Sequence, residues 1–242
     1  MKFYIILFTG LFSVSLYCQD ISNFKTYYNW FDSVIGVNNT NLLNGTEFKD
    51  EFKTLEDNHQ YFFKREFSYG NIVYNGQPYY NASIKYNVHD DELIIRLLDY
   101  TGYIAIKLVK EHVERFQINN NTFINSNTLK LNKTPINNLG FYEVLFMGNN
   151  ISIFKKHFKS KQERKNDKFA FTEFIHKELF LVNFKGDISV ISSKKDFIKL
   201  DPKLKKTIDS FYRNKRYLIK LNYNTFLTEL GETLNDTITK NK

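Results

Sequence analysis

The chain has one cysteine, three prolines, ten glycines, two methionines and one tryptophan in 242 residues. A single cysteine excludes an internal disulfide framework and a cysteine-rich zinc site. So little glycine and proline excludes collagen-like and low-complexity chains. No apolar run of about 20 residues follows the first two dozen positions, so no transmembrane helix is expected in the mature chain. Catalytic signatures are equally scarce. There is no G-x-S-x-G, Walker A loop, G-x-G-x-x-G or H-E-x-x-H. Three S-x-x-K matches occur, at Ser22–Lys25, Ser152–Lys155 and Ser192–Lys195, without the S-D-N and K-T-G elements that would give them meaning.

Aromatic side chains are abundant. With 24 Phe, 16 Tyr and a hydrophobic fraction of 42%, the chain has ample material for a core and is not disordered as a whole. Its length suits one domain, or one domain with an appendage, at roughly 150 residues per domain. The formal net charge is +8, with 28 lysines beside 28 asparagines. Lys, Asn, Ile, Phe and Tyr rise together as they do under AT-rich codon usage, so position carries more information than the total.

Met1 and Lys2 form a short basic start, and Phe3–Leu16 is a mostly apolar stretch. That is long enough for a secretory leader and too short for a comfortable bilayer span. Export to the periplasm or cell envelope is the expectation. Cleavage after Cys18 would start the mature chain at Gln19. Lipidation of Cys18 is the alternative, and Tyr17 disfavours it, because the position before a lipidated cysteine takes a small side chain. The expected organisation is a leader over 1–18, a β-rich domain over 19–192 and a helical segment over 193–242 packed on the same domain.

The hydrophobic pattern sharpens from Tyr69. Asn75-Gly76 is a strong hairpin signal, because a type I′ turn needs positive φ at both central residues. After it, Tyr80, Ala82, Ile84, Tyr86 and Val88 alternate onto one face. Turn residues at His89-Asp90-Asp91 and Asp99–Gly102 separate further strands at Glu92–Leu98, Tyr103–Leu108 and Val113–Ile118. Phe141–Met147 pairs with Ile151–His157 across Gly148-Asn149-Asn150. Phe169–Ile175 pairs with Leu179–Phe184 across His176-Lys177-Glu178, and Lys185-Gly186-Asp187 leads to Ile188–Ile191. The pattern predicts a mainly β chain: an antiparallel meander forming a curved sheet, sandwich or partial barrel, with C-terminal helices. Those helices start at a capping box, Ser193–Asp196, and at Asp201-Pro202, with Leu204, Ile208 and Phe211 on one face. Asn224 is placed to cap a last helix with Phe226, Leu227, Leu230 and Leu234 inward. Near the N-terminus, Phe24, Tyr27, Tyr28, Trp30 and Phe31 suggest a short amphipathic helix closed by Gly36.

The stretches Asn44–Phe48, Gly70–Asn81, Lys85-Tyr86-Asn87 and Asp90–Leu93, with the lysine-rich Lys194–Lys206 segment, resemble a pattern in uncharacterised exported proteins of the Bacteroidota. The resemblance implies an envelope protein, and it brings no catalytic residues.

The five histidines, His59, His89, His112, His157 and His176, lack metal-ligand spacing and read as surface or turn residues. Asp90, Asp91, Glu92 and Asp99 read as turn residues, without the glycine-punctuated loop of a calcium site. Glu111 and Glu114, beside His112, would point to opposite faces of a strand. No metal and no cofactor is expected. Residues 155–168 carry Lys155, Lys156, Lys159, Lys161, Arg164, Lys165 and Lys168 against Glu163 and Asp167. This segment reads as a solvated excursion of a hairpin, and its functional reading is contact with anionic envelope lipid or polysaccharide. Nucleic acid is not an expected partner. The leading expectation is a non-enzymatic exported module that binds or scaffolds an apolar or anionic envelope ligand. A carbohydrate-contacting module using Tyr79, Tyr100 and Tyr103 is the alternative, and a hydrolase assembled from distant residues ranks below it.

Overall fold

Asn75 (φ 50°) and Gly76 (φ 76°) close the hairpin that the sequence predicts, and eight further strands follow it along the chain. The computed structural model describes residues 26–28, 41–55, 57–99, 102–129, 140–165 and 169–240. The leader, Cys18, Gln19 and most of the expected N-terminal aromatic helix lie outside these residues. Eleven strands form one open antiparallel sheet: β1 (Thr46–Glu47), β2 (Ser68–Tyr74), β3 (Gln77–Asn87), β4 (Glu92–Asp99), β5 (Gly102–Lys107), β6 (Val113–Ile118), β7 (Asn121–Asn125), β8 (Phe141–Met147), β9 (Ile151–Lys165), β10 (Ala170–Phe184) and β11 (Asp187–Ile191). Their order is β1-β5-β4-β3-β2-β6-β7-β8-β9-β10-β11. Among the described residues four α-helices follow the last strand: α1 (Lys194–Leu200), α2 (Lys205–Asn214), α3 (Arg216–Leu221) and α4 (Tyr223–Lys240).

Three local details differ from the pattern reading, each for a definable reason. In the first hairpin, Gly70 pairs with Ala82 and Ile72 with Tyr79, which leaves an extra residue on β3. Asn81 takes up that bulge at φ 57°. The parity flips there, so Tyr79 is buried and shares the interior with Ile84 and Tyr86, while Tyr80 is displaced. Asn119 and Asn120, both at positive φ, make a second tight turn and return β7 against β6, a strand hidden in the Asn-rich stretch. The cap of α4 is Asn222, whose Oδ1 accepts from the Thr225 N–H, two residues earlier than expected.

The largest difference concerns β9 and β10. Each is an uninterrupted 15-residue strand, paired in constant register from Ile151↔Phe184 to Lys165↔Ala170. His176-Lys177-Glu178 therefore lies in mid-strand and is no turn. It contains none of the glycine, asparagine or proline residues that reverse a chain cheaply. Lys155–Lys165 is likewise strand. Residues 160–165 are exposed at the outer end of the hairpin, whereas Lys155, Lys156 and His157 are buried, so the reading as a solvated excursion fails for the inner residues. Lys168 lies outside the described residues.

Two large hydrophobic bodies result, beside a smaller cluster of Tyr142, Phe154, Leu181 and Ile188 from β8 to β11. One, from β2 to β8, packs Tyr86, Phe116, Phe123 and Phe141 inside the curve of the sheet, with ring centroids 4.8 to 5.9 Å apart. The other lays the helices over Ile151, Ile153, Val182 and Phe184. Helix α4 reaches β8 closely at Gly231, where a Cβ would stand 2.6 Å from the Phe146 ring. The capping box at Ser193 and Asp196 and the packed face of Leu204, Ile208 and Phe211 form as the sequence predicts.

Candidate functional site

One face of the β9–β10 hairpin changes cover along its length. Its lower part, Ile153 and Val182, lies under the helices. Its upper part, Phe174 and Thr172, lies under a strap formed by residues 48–55 and 57–62, through the Phe52–Phe174 ring contact and the Thr172 N–H donating to Lys53 O. Between the two covers the strands present Lys155, His157, His176 and Glu178 on one face, joined by Glu143 from β8. The pairing dictates this: His157 is opposite Glu178, Lys159 is opposite His176, and Lys155 is opposite Glu143.

These side chains form one connected set. His157 Nε2 lies 2.7 Å from Glu143 Oε2, and both residues are 3% exposed. A carboxylate only accepts, so His157 carries its proton on Nε2 and donates it. Its Nδ1 then faces His176 Nε2 at 2.9 Å and Glu178 Oε1 at 3.8 Å. Lys155 Nζ stands 3.0 Å from Glu143 and 3.4 Å from Glu178, and Asn121 donates to the other Glu143 oxygen. Burial opposes ionisation of Glu143, yet hydrogen bonds from His157, Lys155 and Asn121, with the Lys155 charge, hold its pKa down to about 2. Burial lowers the pKa of His176, and the neighbouring His157 and lysines add to that. Phe62 and Phe123 close the apolar side of His157, at 5.1 and 5.9 Å between ring centroids.

A second polar set lies on the opposite face. Lys156, 2% exposed, pairs with Asp91 at 2.9 Å and donates to Phe141 O at 3.0 Å. Asp91, in the β3–β4 turn, also accepts from the Tyr86 hydroxyl at 2.6 Å and pairs with Lys110 at 3.2 Å. Burial lowers the Lys156 pKa, and Asp91 offsets part of that. Lys159 donates to the carbonyls of His59 and Tyr61 at 2.6 and 2.7 Å, tying the strap to the hairpin, and burial brings its pKa to about 8.

The seven cations of segment 155–168 thus divide. Lys155, Lys156 and Lys159 are structural and face inward, because carboxylates or carbonyls satisfy each ammonium. Lys161, Arg164 and Lys165 are exposed, Lys161 over the Phe52 ring and Arg164 paired with Glu173 at 2.8 Å. The expectation of isolated histidines fails as well. His157 and His59 are buried, and His157 meets His176 across the hairpin. The stacking surface expected of Tyr79, Tyr100 and Tyr103 loses Tyr79 to the core, Tyr103 stays exposed, and Tyr100 lies outside the described residues.

Glu143, His157 and His176 are the functional candidates that motif spacing misses. Histidines 19 residues apart match no linear motif, yet reading 151–184 as one unbroken hairpin would have placed them side by side. Among the described residues, His157 Nδ1, His176 Nε2 and one Glu178 oxygen lie within 4.8 Å of one another, close enough to share an ion. No protein-family model, curated protein or solved structure matches this chain.

Proposed function

We propose that this chain is a non-enzymatic exported envelope module that binds anionic material through the outer half of its β9–β10 hairpin. One observation carries the reading. β8 pairs with β9 only as far as Lys155, and β11 pairs with β10 only from Phe180. Beyond those residues the two strands continue as a ribbon for roughly 30 Å, at about 3.4 Å per residue. Two strands alone are marginal in water, so the ribbon is braced on one face by the strap and is exposed on the other. Arg164 and Lys177 are exposed on the open face, and Lys161 and Lys165 are exposed along the face that carries the strap. The exported location rests on the Met1–Cys18 leader and on the resemblance to Bacteroidota envelope proteins.

Lipid phosphate suits this surface, because a juxtaposed Lys or Arg contributes about 1 kcal/mol at an anionic leaflet. Cosedimentation with anionic vesicles should be strong at low salt. It should fall as the Debye length shortens from about 10 Å at 0.1 M toward 3 Å at 1 M. Replacing Lys161, Arg164, Lys165 and Lys177 together by Gln should remove it. Equal retention on neutral vesicles, or retention untouched by the four substitutions, overturns the proposal. Stronger competition by an acidic polysaccharide than by anionic lipid would reassign the ligand.

A further inference from the structure

We infer that His157 Nδ1, His176 Nε2 and the Glu178 carboxylate form a three-ligand site for a zinc-class divalent metal ion, with Glu143 as the buried carboxylate that orients His157. This inference is independent of the cationic ribbon and its partner. Three observations point the same way. The first is the donor set itself: two imidazole nitrogens and a carboxylate oxygen within 4.8 Å, on adjacent strands whose register holds them together. That set suits zinc-class ions, which take imidazole at about 2.0–2.1 Å and carboxylate oxygen at about 2.0–2.2 Å. The second is the arrangement behind it. A ligating histidine characteristically donates its other ring N–H to a carboxylate, which fixes the tautomer and raises ligand basicity. His157 does this toward Glu143 at 2.7 Å, leaving Nδ1 unprotonated and directed at the other two donors. Glu143 is in turn held ionised by Lys155 and Asn121, so this orienting group is fixed rather than adaptable.

The third observation is access. His157 sits at the bottom, while His176 and Glu178 are exposed, so an ion has an open side for entry and for a fourth ligand. The two imidazole planes are within 9° of each other, with centroids 5.1 Å apart and nitrogens 2.9 Å apart. That combination is edge to edge, His157 Nδ1 presenting its in-plane lone pair to the N–H of His176 Nε2. Binding exchanges their shared hydrogen bond for coordination: the exposed His176 ring gives its Nε2 proton to solvent, takes one up on Nδ1 instead, and moves slightly away from His157. Lys155 opposes the ion electrostatically. It gives up Glu178 on binding and keeps Glu143 and Asn224, at 3.0 and 3.4 Å.

The test uses the full, untagged chain, titrated with Zn(II) by calorimetry and with Co(II) as a spectroscopic reporter. The expected result is a single saturable equivalent, with a cobalt ligand-field spectrum that His176→Ala and Glu178→Gln each abolish. Both positions are exposed, so unchanged circular dichroism and melting should show that these variants remain folded. Glu143→Gln keeps all three ligands, and it should weaken binding about 10- to 100-fold, the usual effect of removing such a partner. Nitrogen NMR of the His157 ring should report a proton on Nε2 in the unmodified chain and a mixture of tautomers in Glu143→Gln. Absence of saturable binding, or binding that His176→Ala and Glu178→Gln leave intact, overturns the inference and assigns any bound metal to other groups.

Discussion

The two halves of the sheet solve the same burial problem with different material. From β2 to β8 the sheet curves over its own aromatic side chains, and Tyr86, Phe116, Phe123 and Phe141 fill the concave side. From β9 to β11 the strands contribute Ile151, Ile153, Val182 and Phe184, and the cover comes from helices through Phe226, Leu227, Leu230 and Leu234. The first half is built from neighbouring hairpins. The second depends on a chain segment that arrives only after the last strand. Polar groups concentrate where the two regimes meet, at Glu143, Lys155, Lys156 and His157. A seam between two differently covered regions is therefore where this fold buries charge, and charge there must be paired.

Truncation in either body should give the largest effects. Phe226→Ala under the helices and Phe116→Ala in the aromatic interior should each cost about 3–5 kcal/mol, read by denaturant melts. The two halves make separate cores, so the double variant should be close to additive. A large coupling energy would show that they pack as one. Breaking the seam should come next. Lys156→Gln leaves the half-buried Asp91 carboxylate with only Lys110 and the Tyr86 hydroxyl, and should cost about 2 kcal/mol. This reverses the behaviour expected of a surface lysine.

Gly231→Ala sets helix propensity, which gains up to about 1 kcal/mol, against a Cβ driven into the Phe146 ring. We expect net destabilisation of about 1 kcal/mol, because overpacking against a ring held between helix and strand exceeds the helical gain. Gly76→Val should cost about 1 kcal/mol or more, since Gly76 sits at φ 76° and a β-branched residue resists that region. Neutralising the exposed ribbon cations Lys161 and Lys165 should stay within about 0.5 kcal/mol. A large loss there would mean that the ribbon charges are part of the fold.

Acid should act on the seam before the aromatic interior. The folded pKa of Glu143 is lowered to about 2, below that of an unfolded glutamate. Its contribution is therefore complete above an unfolded value of about 4.3 and is lost as pH falls toward 2. A Glu143→Gln chain should show a flatter dependence of stability on pH across that window. Parallel curves for the two proteins would remove the seam as the acid-sensitive element.

Much of the β architecture is legible in local chemistry. Asn75-Gly76 and Lys185-Gly186 mark hairpins, because few residues tolerate positive φ. The caps at Ser193 and Asp201 mark the helical segment in the same way. The bulge at Asn81 was not legible, since one inserted residue shows only against its partner strand. Nor was the unbroken length of β9 and β10. Lysines in an alternating stretch signal solvent by composition, and only Glu143, Asp91 and two strap carbonyls make Lys155, Lys156 and Lys159 interior residues.

The sequence by itself determined the class of the fold, the positions of the tight turns and the helix starts, because these depend on φ preferences and on apolar periodicity within a few residues. Tertiary structure alone decided which charged side chains are buried and which histidines meet. Those outcomes depend on the registers of β8 on β9 and β9 on β10, and on which cover lies over each part of the hairpin. His157 and His176 are 19 positions apart along the chain and 2.9 Å apart across the strands, and no local pattern encodes that second distance.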